Sequence, residues 1–198
     1  VERRGNTALL RLLHRRGPED STLAVSTLRL LTSTLYSESR KASFWQEAHV
    51  DVFVEALGWA LTVDATAAAD CNESVVGLAC DVAALWVLRA GNTAGVDSAK
   101  ALVAVVPQLL RRMEADRDNP YLQQHACRFL WALSKVCRSW PMNIQQPALV
   151  ALTQMAFPLQ MSFNPDVRAY SGLAVAAMTM LGSQSGAEVA VTCLSSMD

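Results

Sequence analysis

The sequence predicts an all-α chain, a right-handed α-solenoid of about four stacked helical repeats. Three observations lead there. Apolar residues recur three and four apart almost throughout, the spacing of one helix face. Alternating strand-like runs bounded by tight turn pairs such as Asn-Gly are missing. A helix-opening signature also returns at a nearly fixed interval. Asn119-Pro120-Tyr121-Leu122-Gln123 and Asn164-Pro165-Asp166-Val167-Arg168 stand about 45 residues apart, within the 40 to 47 or so of known helical arrays. In both, Asn supplies an N-cap oxygen and Pro takes the first helical position, where a missing N–H costs nothing.

Breakers at Gly17-Pro18, Ser37 to Ser43, Asp64 to Asn72, Gly91 to Gly95, Asp116 to Pro120, Ser139 to Asn143, Pro158 to Pro165 and Gly182 to Gly186 cut the 198 residues into helices of ordinary length. The approximate units are 1–41, 42–95, 96–143 and 144–183, with a terminal helix over 184–198, all within one domain. The first unit opens its long helix at the degenerate signature Asp20-Ser21-Thr22-Leu23 and seats His14 among Arg11, Arg15 and Arg16. That basic end complements a helix dipole and needs no partner. The second unit holds the apolar run Val50 to Leu61 and a third signature, Asn72-Glu73-Ser74-Val75, about 47 residues before Asn119. The third and fourth units carry the two Asn-Pro starts. Aligned on the cap, Leu122, Ala126, Leu130 and Leu133 match Val167, Ser171, Val175 and Met178, and more loosely Val75, Ala79, Ala83 and Trp86. The small residue at the second stripe position lets a neighbouring helix approach closely.

Composition narrows the function. Hydrophobic residues make 52% of the chain and charged ones 18%, against roughly 45–50% and 25% in ordinary globular domains, which implies extra core or extra interface. Net charge is −1, so no global basic field attracts nucleic acid or an anionic membrane. The longest apolar stretches, such as Val75 to Leu88, are broken by Asp81 and fall short of the roughly 20 residues of a membrane span. Cys71, Cys80, Cys127, Cys137 and Cys193 form no CxxC or paired metal-ligand spacing and read as reduced thiols. The odd cysteine count favours an intracellular, cytoplasmic location, and a start at Val1 suggests a segment of a longer chain.

Val106-Pro107-Gln108-Leu109-Leu110-Arg111-Arg112-Met113, followed by Asn119 to Leu133, resembles an armadillo repeat: a short second helix opening at Pro, then a long third helix opening at Asn-Pro. Gln146-Pro147-Ala148-Leu149 resembles another second-helix start, and Val50 to Leu61 a further one without the proline. The resemblance covers most of the chain, strongest from Val96 to Leu181, and HEAT repeats share much of its apolar pattern. Peptide-binding armadillo arrays such as nuclear-import receptors carry Trp and Asn four residues apart on the third helix. Here the matching pairs are Arg128 and Ala132, Leu173 and Ala177, and Asp81 and Leu85, so an import-receptor role is not expected.

The resemblance implies a concave groove lined by third-helix positions off the buried stripe. That places Tyr121, Gln124, His125, Arg128 and Lys135 in it or at its edge, with Asp166 and Tyr170 on the next helix and Asp81 on the earlier one. Aromatic and arginine side chains are over-represented among binding anchors. Two apolar loops, Ser139 to Met142 and Ala156 to Phe163, need cover from the chain or from a partner. Catalytic signatures are missing: Glu47, His49 and Asp51 sit two apart, about 200° around a helix, and so cannot converge. His125 and Cys127 fail as metal ligands for the same reason, and no phosphate loop, nucleophile elbow or HExxH helix occurs. The expectation is a non-catalytic scaffold for a protein partner or larger assembly, with no cofactor, metal or small-molecule substrate and no membrane insertion. The alternatives are a structural subunit built permanently into a complex, which would use loops and ends, and a regulatory solenoid of a larger enzyme.

Overall fold

The computed structural model describes residues 2–37, 50–62, 75–89, 92–137 and 140–181. Among the described residues every regular element is helical: α1 (Glu2–Arg16), α2 (Ser21–Ser37), α3 (Val50–Thr62), α4 (Val75–Arg89), α5 (Asn92–Val103), α6 (Val106–Ala115), α7 (Pro120–Val136), α8 (Met142–Gln160) and α9 (Pro165–Leu181). The signature at Asn72-Glu73-Ser74 and the terminal helix expected over 184–198 lie outside the described residues.

Three helix starts are fixed by the residues that announce them. Asn119 accepts from the backbone N–H of Leu122 at 3.1 Å, with Pro120 opening α7. Asn164 accepts from the N–H of Asp166 at 2.9 Å ahead of α9. Asp20 caps α2 through the N–H of Leu23 at 2.9 Å. Each cap satisfies an amide that would otherwise lack a partner in the first turn.

Packing order follows from which faces are apolar. Helix α2 packs on α4, α4 on α7 and α7 on α9, while α1 packs on α3, α3 on α6 and α6 on α8. The two sets are joined pairwise, α1 to α2, α3 to α4, α6 to α7 and α8 to α9, with α5 wedged against α3, α4 and α7. At its centre, α4 is buried at every position from Val75 to Val87, as its nearly unbroken apolar sequence requires. The cap-aligned stripes are inside: Leu122, Ala126, Leu130 and Leu133 are buried, as are Val75, Ala79, Ala83 and Trp86. Val167, Ser171 and Met178 are buried too, whereas Val175 is half-buried.

Polar side chains lock neighbouring helices at defined points. Trp86 stacks on Phe53 with ring centroids 3.8 Å apart and donates from Nε1 to Ser98 Oγ at 2.9 Å, tying α4 to α3 and α5. Gln123, buried on α7, donates to the carbonyls of Met113 (2.8 Å) and Asp116 (3.0 Å) at the end of α6. Gln160 donates to Ser171 Oγ at 2.9 Å and joins α8 to α9. The turn after α1 needs Gly17, because a Cβ there would meet the Leu13 carbonyl oxygen and stand 2.7 Å from the Trp59 ring.

Helix α8 departs from the sequence expectation. It begins at Met142 instead of Gln146-Pro147 and runs through Pro158 to Gln160, so the second apolar loop shrinks to 161–164. An interior proline costs about 3 kcal/mol or more, while a fully buried leucine or methionine contributes about 1.5–3 kcal/mol. Leu149, Leu152, Met155 and Leu159 are all buried along α8, enough to carry the helix through both prolines. Helix α5 likewise continues through Gly95, where a break was expected. In the first apolar loop Trp140 folds back, buried, and donates to the Cys137 carbonyl at 3.0 Å.

Candidate functional site

The residues singled out from the sequence lie on α4, α7 and α9, and several of them are in contact across those helices. On α7 the positions Tyr121, Gln124, His125, Arg128 and Lys135 fall within one arc at 100° per residue, with Trp131 at its margin. Arg128 is the hub. Its Nη1 donates to Asp81 Oδ1 on α4 at 2.5 Å and to the Tyr36 hydroxyl on α2 at 3.0 Å. Its guanidinium carbon lies 5.8 Å from the centre of the Tyr170 ring on α9. One side chain therefore touches three helices besides its own.

Burial explains the arrangement. Asp81 is the sole charged residue of α4 before Arg89, and its side chain is only 6% exposed. A carboxylate taken out of water needs a cation and hydrogen bonds, and Arg128, itself 16% exposed, supplies both. Burial pulls the Arg128 guanidinium pKa down. The Tyr36 hydroxyl, the Asp81 carboxylate and Tyr170 outweigh that and leave it above its ordinary value. The cation is thus held in place and stays charged. His125 Nδ1 lies 3.4 Å from the same Asp81 oxygen but makes no hydrogen bond among the described residues, and its ring packs against Tyr121 with centroids 4.3 Å apart.

Around this hub are groups that solvent reaches. Lys135 is exposed and places Nζ 5.1 Å above the Trp131 ring. Trp131 in turn lies 6.5 Å from Tyr170, tilted by 49°. Asp166 is exposed at the start of α9, 3.5 Å from the Gln124 amide. The structure thus divides the sequence-derived set. Asp81 is covered and cannot be touched from outside; Arg128 is mostly committed to it; Tyr121, Gln124, His125 and Tyr170 are half-buried; Lys135 and Asp166 stand free of cover. Two members of the face escaped sequence reasoning, Tyr36 and Trp131. The signal for Trp131 was its position three after Arg128 and four before Lys135, whereas Tyr36 carried none, because its register depends on how α2 lies on α4.

Burial pushes the Cys127 thiol up to about 12. Burial, aided by Asp81 and Cys127, also raises Cys80 well above its usual value. Protonated, enclosed thiols are poor nucleophiles and poor metal ligands. Among the described residues no group of three or more His, Cys, Asp or Glu is placed to hold a metal ion, and no helix is long and apolar enough to cross a membrane. Glu47 and His49 lie outside the described residues, and Asp51 is exposed on α3. Compared with family models, curated proteins and solved structures, the chain matches none.

Proposed function

We propose that the chain is a right-handed armadillo-like α-solenoid of about four repeats and that it serves as a non-catalytic scaffold for a protein partner, in the cytoplasm. The contact order supports the solenoid: α2, α4, α7 and α9 touch in succession, as do α1, α3, α6 and α8. In such an array each unit hides its neighbour's apolar side and one row of helices presents a continuous wall. A single observation carries the functional reading. Arg128 binds groups from α2 and α4 and lies beside Tyr170 of α9, and the aromatic and charged side chains flanking it stay reachable. A hub that fixes four helices relative to one another pre-organises those flanking groups, which lowers the entropy lost on binding.

The test is capture of partners by the full-length protein, wild type against a Lys135→Glu/Asp166→Lys variant. Both residues are exposed, so the variant keeps the wild-type circular dichroism and loses partners. Undiminished capture overturns the reading.

A second reading, that of a structural subunit docked through loops, is favoured by the turn between α8 and α9. There Phe163 is fully exposed and Met161 is 67% exposed. Two large apolar side chains exposed on one turn form a candidate contact surface. In that case Phe163→Ser abolishes capture while the Lys135/Asp166 variant does not.

A further inference from the structure

We propose that a pocket between α6 and α8 binds a small amphipathic carboxylate. Its cavity measures about 400 Å³, inside the range of roughly 300–1,000 Å³ for small-molecule sites. Pro107, Leu110, Pro147, Ala151 and Met155 make its walls, and Leu110 and Met155 are otherwise buried. Those surfaces suit an apolar body.

The mouth is charged and unbalanced. Arg111, Arg117 and Glu114 all border it, two guanidinium groups against one carboxylate. Glu114 is engaged by Arg117 at 3.0 Å, which leaves the positive charge of Arg111 facing the opening. Gln154 adds an amide at the same rim. An anionic head therefore finds a guanidinium where the apolar body ends, the geometry for a charge-assisted hydrogen bond. The occupant is a small molecule and not an extended peptide, because the lining comes from one stretch of two neighbouring helices, whereas a peptide groove needs a track of sites. The proposal is independent of the binding face on α7 and stands or falls apart from it.

Methyl-labelled methionine in the intact chain reads the pocket directly, since Met155 lines it and Met178 on α9 does not. Octanoate is the probe, with octylammonium and octanol as cationic and neutral counterparts of the same body. Octanoate is expected to shift the Met155 methyl resonance saturably and leave Met178 unmoved. The two counterparts bind at least about tenfold more weakly, the worth of one charge-assisted contact. Arg111→Glu weakens octanoate by a similar factor or more, Arg111→Lys retains most of it, and Ala151→Phe, which fills the cavity, removes it. Arg111 is exposed, so its variants keep the fold even if Ala151→Phe does not. Equal binding of all three probes, unchanged binding by Arg111→Glu, or no Met155 response overturns the proposal.

Discussion

Asp81 shows how one residue constrains its surroundings. A carboxylate in the middle of an apolar helix is read from sequence as a break in a hydrophobic run, and the fold turns it into a demand for a cation. Removing that cation leaves a buried unpaired charge, so Arg128→Met is expected to cost about 3 kcal/mol. The melting temperature then falls by roughly 6–12 °C, and adding Asp81→Leu recovers part of the loss. A double variant less stable than Arg128→Met alone would show that the pair is not the source. The buried thiols give a second prediction. A thiol whose folded pKa is raised keeps its stabilising share below the ordinary thiol pKa. It loses that share as pH climbs towards the folded value, which is about 12 for Cys127. Urea resistance should therefore decline above about pH 8.5. Alkylation of Cys80 and Cys127, mapped by mass spectrometry, should be slow in the native protein and fast once it is unfolded.

Single helices depend on local signals and on what their neighbours cover. The caps at Asn119 and Asn164 were legible because an N-cap oxygen followed by Pro at the first position is a backbone requirement that reads the same in any fold. Asn119→Ala is expected to cost about 1 kcal/mol, measured by denaturant titration, with the helix still starting at Pro120. The limits of α8 were not legible. Pro147 reads as a start and Pro158 as a stop, yet buried Leu149, Leu152, Met155 and Leu159 outweigh two lost hydrogen bonds. That balance depends on α6 and α9, which local sequence does not describe. Gly17 belongs to the same scale. Its missing side chain makes room for Trp59 of α3, and Gly17→Ala should destabilise by about 1–3 kcal/mol through a contact between helices far apart in sequence.

Across the whole molecule, the helices touch in two successions, α2–α4–α7–α9 and α1–α3–α6–α8. In one, α2, α4, α7 and α9 are stitched by Arg128; in the other, α6 and α8 line the apolar pocket to which Arg111 belongs. At the face proposed to bind a partner, Lys135 and Asp166 are the groups that would steer association, and their exposure leaves them open to screening by salt. Capture that weakens as ionic strength rises is the expected signature, and salt-independent capture would direct attention to Phe163.

The sequence by itself determined that the chain is helical, where α2, α7 and α9 begin, and which stripes are buried, because caps and 3.6-residue periodicity act within a few residues. It also named Asp81 and Tyr170, which the fold brings to Arg128, though not the division of the set into buried and reachable residues. Only tertiary structure decided that Asp81 lies beneath Arg128, that Tyr36 and Trp131 join them, and that α8 runs through its prolines. Each of those outcomes turns on the free energy of burial between helices distant in sequence, a quantity set by packing and not by any local pattern.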